Sequence, residues 1–248
     1  VTIWFEESGP DGAPLVVLVH GAMDRGTAFA PVRRILSDRY RVIVYDRRGY
    51  ARSLGAGGPF TVAQNRDDLE ALLDGRTAVI GGHSFGGVVA LALAEHRPDL
   101  VRAVAVYESP MNWHAQWPAE GMVRTTIGAM DPADIAEGFL RSVIGTSGWE
   151  SLPVKIREAR RAEGAALVAE LHDAQGRAPY DPAALRVPLV IGRGTESVAR
   201  HQLGATLHHR LVPGSELVEF PGASHGMHRS DPQGFASLVE RAVELAPD

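Results

Sequence analysis

The chain has 248 residues, 45% of them hydrophobic and 22% charged, which fits a single α/β domain and excludes disordered, collagen-like and coiled-coil classes. Asp and Glu number 30 against 25 Lys plus Arg, a net charge of −5, so nucleic-acid binding is not expected. Cysteine is absent, which excludes disulfides, thiolate catalysis, iron–sulfur ligation and thiolate zinc sites, and fits a cytoplasmic location.

Taken in chain order, short apolar runs alternate with longer amphipathic ones. That alternation predicts a mostly parallel sheet with helices on both faces. Thr2 to Phe5 reads as a half-exposed strand, followed by the turn cluster Gly9-Pro10-Asp11-Gly12. Leu15 to Val19 and Arg41 to Tyr45 are strands, the first of them buried on both faces. Phe29 to Leu36 reads as a helix between them, and Thr61 caps another that runs to Leu73. Further strands are expected at Thr77 to Ile80, Val101 to Tyr107, Val187 to Ile191 and Glu216 to Phe220, with helices at Val88 to Ala94 and Phe235 to Leu245. No apolar stretch reaches the roughly 20 residues of a membrane span, and no signal peptide is read.

Residues 110–180 break the rhythm. They hold no convincing strand but contain helical segments at Pro132 to Val143 and Val154 to Leu171. The expected organisation is therefore a core of residues 1–109 and 181–248 with a helical cap, or lid, inserted at 110–180. A structureless loop of that length is uncommon in a compact domain.

Gly82-His83-Ser84-Phe85-Gly86 matches G-x-S-x-G between a buried strand and a helix, the context of a nucleophile elbow. The glycines make sense sterically: the serine occupies a strained turn, and side chains beside it would collide. The turn exposes Oγ near a helix N-terminus, where backbone amides stabilise negative charge.

Together with this elbow, three further segments resemble the α/β-hydrolase superfamily. Val19-His20-Gly21-Ala22 is similar to its oxyanion loop. Asp46-Arg47-Arg48-Gly49-Tyr50-Ala51-Arg52-Ser53 is similar to its D-x-R-G-x-G-x-S turn, with Ala51 where glycine is usual. Pro221-Gly222-Ala223-Ser224-His225 is similar to its histidine loop. The four segments occur in family order over nearly the whole chain. The resemblance implies Ser84 as nucleophile, His225 as base, and the backbone N–H groups of Phe85 and Ala22 (or Met23) as the oxyanion hole, with no cofactor and no metal. Of the other histidines, His228 is the runner-up for the base. His20 and His83 resemble structural positions, and His208 and His209 read as surface residues of a helix.

The triad acid is left open. Most family members carry Asp just after the strand that here ends near Ile191, but the stretch reads Gly192-Arg193-Gly194-Thr195-Glu196. Some relatives place the acid after the strand that follows the elbow helix, where this chain has Glu108 at a strand's carboxyl end, among apolar residues that make an unpartnered charge costly. Glu108 is favoured and Glu196 is the alternative; either keeps the serine–acid–histidine order.

Met23, Phe85, Met111, Trp113, Trp117, Met122, Phe139 and Trp149 are candidates for an apolar pocket under the cap, with His83 beside it. Trp113 and Trp117 are preferred because they follow the acid's strand directly. The basic run Lys155, Arg157, Arg160 and Arg161 reads as a solvated face. The implied activity is hydrolysis of an ester, thioester or lactone of a small apolar acyl compound, with a small-molecule substrate as partner. Alternatives are C–C bond hydrolysis or cofactor-free haloperoxidase-type perhydrolysis on the same fold, and a slow-turnover ligand-binding signalling module. Fold alone does not choose among them.

Overall fold

The computed structural model describes residues 3–118 and 130–247. Its strands are β1 (Phe5–Ser8), β2 (Leu15–Val19), β3 (Arg41–Tyr45), β4 (Ala78–His83), β5 (Val101–Tyr107), β6 (Leu189–Gly194) and β7 (Glu216–Phe220). They form one sheet in the order β1-β3-β2-β4-β5-β6-β7, with β1 antiparallel to β3 and the other pairs parallel. The first strand is thus Phe5–Ser8 rather than Thr2 to Phe5, because Phe5 through Ser8 pair with Tyr45 back to Val42. The elbow strand extends past Ile80 to His83, since Gly82 and His83 still pair with Val106 and Tyr107.

Side-chain alternation sorts the sheet into two faces. Val17, Val19, Ile43, Ile80, Val104, Val106 and Ile191 point to a core shared with α2 (Val62–Leu73), α3 (Phe85–His96) and α8 (Ala199–Leu211). Their neighbours Val16, Leu18, Val42, Val44, Val79, Ala103, Ala105 and Val190 face α1 (Ala30–Leu36) and α10 (Pro232–Leu245). Burial on both sides is why these strands read as unbroken apolar runs.

Between β5 and β6 the described residues contain α4 (Pro132–Ile144), α5 (Thr146–Ser151), α6 (Val154–Ala162) and α7 (Gly164–Gly176). The run Val154 to Leu171 is two helices, not one. Gly164 lies so close to the Pro132 carbonyl that a Cβ there would come within 2.0 Å of its oxygen, and buried Glu163 occupies the joint. Met23, Tyr50, Ala136, Leu140, Trp149, Ala166 and Leu167 form a third apolar cluster between these helices and the core. The short α9 (Met227–Ser230) precedes α10. No helix among the described residues is long and apolar enough to cross a membrane. The pocket candidate Met122 lies outside the described residues.

Candidate active site

The chain runs from β2 to β3 on one side and returns to β4 on the other, so the carboxyl ends of β2 and β4 flank a switch point, the usual ligand crevice of such sheets. His20 through Met23 leave β2 there, and Ser84 leaves β4. Ser84 sits at φ 52°, ψ −124°, immediately before α3. Two glycines permit this turn. A Cβ on Gly86 would lie 2.1 Å from the Val19 oxygen, and one on Gly82 would lie 2.6 Å from the Gly87 Cα. The Ser84 N–H donates to the Tyr107 carbonyl at 2.9 Å, locking the elbow to β5. The Phe85 N–H is the first of α3 and has no partner inside its helix.

Glu108, the residue after β5, also has a positive φ, 50°. Its backbone N–H donates to the Gly192 carbonyl at 3.1 Å, so β5 and β6 fix its position. One carboxylate oxygen accepts the Gly194 N–H at 2.9 Å. The other accepts His225 Nδ1–H at 2.7 Å. Glu108 is 1% exposed, so this charge is buried and doubly hydrogen-bonded. Glu196 is exposed on the loop after β6, where its N–H donates to the Ala223 carbonyl at 2.9 Å. Of the two carboxylates left open by the sequence, Glu108 is the one that reaches His225.

The histidine loop is held from several sides. His83 Nε2–H donates to the His225 carbonyl at 2.7 Å, and Tyr107 Oη–H donates to the Ser224 carbonyl at 2.9 Å. The His83 ring lies 4.7 Å from that of His225 and 4.2 Å from that of His228. Burial, then the neighbouring His228 and His225, hold His83 well below the ordinary histidine pKa, so its ring is a neutral brace. His228 is buried and donates through Nε2 to Asp24 at 3.0 Å. Burial alone would raise Asp24; the His228 hydrogen bond and the charges of His228 and Arg229 outweigh it and keep the carboxyl ionised.

One histidine at the site carries no sequence motif. His201, in the first turn of α8, stacks on His225 with ring centroids 3.7 Å apart and 24° from parallel. Its Nδ1 is 3.6 Å from Glu108 Oε2 and has no hydrogen-bond partner. Burial first, then His225 and Arg200, depress its pKa to about 2. The only sequence signal was its position on the helix that follows the β6 loop.

The β2 loop is braced by Arg47 from the turn after β3. Buried Arg47 donates through Nε to the His20 carbonyl at 2.9 Å and through a terminal nitrogen to the Gly21 carbonyl at 3.1 Å. It also pairs with buried Glu170 of α7, which accepts a 2.8 Å hydrogen bond from Tyr50. His20 accepts the Arg47 N–H on Nε2 at 2.9 Å and donates through Nδ1 to the Gly21 carbonyl at 2.8 Å. Desolvation, then the Arg47 charge, lower the His20 pKa to about 3. The basic run on α6 is not wholly a solvated face: Arg160 donates to the Met23 carbonyl at 3.1 Å and to Glu163 at 3.2 Å. His208 is also not a surface residue; it is fully buried against Tyr180, whose hydroxyl lies 2.6 Å from its Nε2.

The apolar candidates divide. Met23 and Trp149 are buried in the cluster beneath α4 and α7, and Met111 is buried at 1% exposure. Trp113 packs edge-on against Tyr180 at 5.3 Å, and Trp117 lies against Gly204 of α8. Ala22 is half-buried.

Residues 16–238 match the sequence profile described as "Alpha/beta hydrolase family". An uncharacterised protein of Mycobacterium tuberculosis is 30% identical over 93% of this chain and 75% of its own. A pimeloyl-[acyl-carrier protein] methyl ester esterase of Neisseria meningitidis serogroup B is 29% identical over 96% of each chain. Among solved structures, the enol-lactonase of Burkholderia xenovorans LB400 is similar in fold, with a TM-score of 0.76 at 24% identity, over 98% of this chain and 96% of that one. The chain belongs to the alpha/beta hydrolase family.

Proposed function

We propose that the protein is a serine hydrolase of carboxylic esters, thioesters or lactones with a small apolar acyl group, working through Ser84, His225 and Glu108. The observation that carries this reading is the 2.7 Å bond between His225 Nδ1 and the buried Glu108 carboxylate, on the loop that His83 ties to the elbow. Glu108 fixes the tautomer that leaves Nε2 free to accept a proton.

His225 Nε2 takes the Ser84 Oγ proton as Oγ bonds to the carbonyl carbon. The oxyanion is held by the N–H groups of Phe85 and Ala22, with Met23 as the alternative second donor. The tetrahedral species collapses, the C–O bond to the leaving alcohol breaks, and His225 returns the proton to that oxygen. Water then repeats the sequence on the acyl-enzyme and regenerates Ser84. Residues 110–180 act as the cap over the acyl group, with Trp113, Trp117, Met111 and Met23 shaping its walls. The related pimeloyl-[acyl-carrier protein] methyl ester esterase of Neisseria meningitidis supports carbonyl–oxygen cleavage.

The test is hydrolysis of p-nitrophenyl esters of increasing acyl length by wild type, Ser84→Ala and His225→Ala. Turnover that both substitutions abolish, in proteins that still fold, is the expected result. Turnover that survives Ser84→Ala would overturn the assignment of the nucleophile.

A further inference from the structure

Glu108, His201 and His225 each offer one ligand-type atom, and these atoms all lie within 4.8 Å of one another. Two histidines and a carboxylate are donors that suit Zn²⁺ and similar divalent ions. Two members already share a proton, on the His225–Glu108 hydrogen bond. The third is unengaged: His201 Nδ1 is buried without a partner, and 3.6 Å from Glu108 Oε2 is too long for a hydrogen bond. A buried polar nitrogen left in this way is costly, and a cation between the three groups would satisfy it. Glu108 Oε1 is meanwhile held by the Gly194 N–H, the kind of supporting hydrogen bond that orients a metal-binding carboxylate. Side-chain exposures of 30% for His225 and 16% for His201 leave the group a route to solvent.

We propose that Glu108, His201 and His225 form an inhibitory divalent-cation site, for which Zn²⁺ is the matched probe. Its inhibitory effect rests on the serine-hydrolase reading; the binding itself does not. The ion takes the place of the proton between His225 Nδ1 and Glu108, at roughly 2.0–2.2 Å from nitrogen and oxygen. His201 turns about its Cβ–Cγ bond, out of the stack, to bring its Nδ1 onto the ion. The displaced proton passes through solvent to His225 Nε2, so the ring stays neutral but becomes a donor where the reaction needs an acceptor. Ser84 then has no base, and turnover stops while the ion remains.

The experiment is calorimetric titration of the whole chain with ZnCl₂, alongside p-nitrophenyl ester hydrolysis with and without EDTA. Wild type, Ser84→Ala, His201→Phe and His201→Gln are compared. The expected result is one ion per chain in wild type and in Ser84→Ala, with inhibition reversed by EDTA. His201→Phe keeps a flat ring against His225 and should lose zinc affinity, and zinc sensitivity relative to its own zinc-free turnover, by about tenfold or more. His201→Gln should show the same loss of affinity should the phenylalanine variant fail to fold. No zinc uptake, or uptake and inhibition unchanged by both His201 substitutions, would overturn the site. Uptake through His201 that leaves ester turnover untouched would overturn its inhibitory role. Uptake in a protein that hydrolyses no ester in any form would retain the site and fell the hydrolase reading instead.

Discussion

Met23, Ala51, Ser84 and Glu108 all hold a positive φ; Met23, Ser84 and Glu108 belong to the proposed catalytic apparatus, and Ala51 lies in the turn after β3. For side-chain-bearing residues this backbone region costs on the order of 1–2 kcal/mol each. At Ser84 and Glu108 the cost accompanies the proposed chemistry. At Ala51, φ 44°, it accompanies none, and this is the position where the family more often has glycine. Ala51→Gly should therefore raise stability by about 0.5–1 kcal/mol, read as a shift of the urea midpoint without a change of slope. Glu108→Gln keeps an oxygen for His225 Nδ1 but loses the charge that stabilises an imidazolium. We expect kcat to fall by roughly 10³–10⁴, against about twofold or less for exposed Glu196→Gln; the reverse ranking in steady-state assays would move the acid to Glu196. Legibility at this scale follows locality. Ser84 and His225 sit in short motifs whose geometry is set by adjacent residues. The sequence leaves the acid open between two positions because the choice depends on which loop end faces His225 across β5 and β6. His201 carries no local signal, because only the docking of α8 brings it onto His225.

The turn after β3 and helix α7 are joined through Arg47 and Glu170, both fully buried. Removing one partner leaves an uncompensated charge in the interior. Glu170→Ala should destabilise the fold by about 3–5 kcal/mol in urea titrations. Because Arg47 also holds the His20 and Gly21 carbonyls, the same variant should lower kcat more than it raises KM, through a loosened oxyanion loop. A loss of stability near zero would show that the pair is easily replaced. The central strands and most helices were legible at element scale because both-face burial and helical periodicity are strong local signals. The edges were not. β1 is defined by its pairing with β3 rather than by its own apolar content, and the break at Glu163 by a tertiary approach at Gly164. The Arg160 contact with Met23 was likewise invisible in a run of charges that looked solvated.

Across the whole molecule, His20, His83, His201 and His208 all have pKa values held below the ordinary 6.5, chiefly by burial. The folded protein resists protonating them, whereas the unfolded chain takes up protons near pH 6.5. Their contribution to stability is therefore complete above that pH and lost as pH falls toward about 4 for His208 and about 3 for His20. The slope is at most about 1.4 kcal/mol per pH unit for each histidine. Urea midpoints should fall between pH 7 and pH 5, and His208→Gln should make that fall shallower by one histidine's share. An unchanged slope would mean that His208 is already free to titrate.

Glu163, Glu170 and Asp173 lie along one stripe of α7 and its leading joint, and each fastens that stripe to the core. Glu163 accepts the Ala51 N–H at 3.0 Å, Glu170 pairs with Arg47, and Asp173 accepts the Val62 N–H at 2.7 Å. Three anchors on one face make α7 a fixed floor, whereas α6 buries no residue and α5 buries only Trp149. In hydrogen exchange, the amides of Leu167 to Glu170 should open only with the whole fold, while those of α5 and early α6 exchange orders of magnitude sooner.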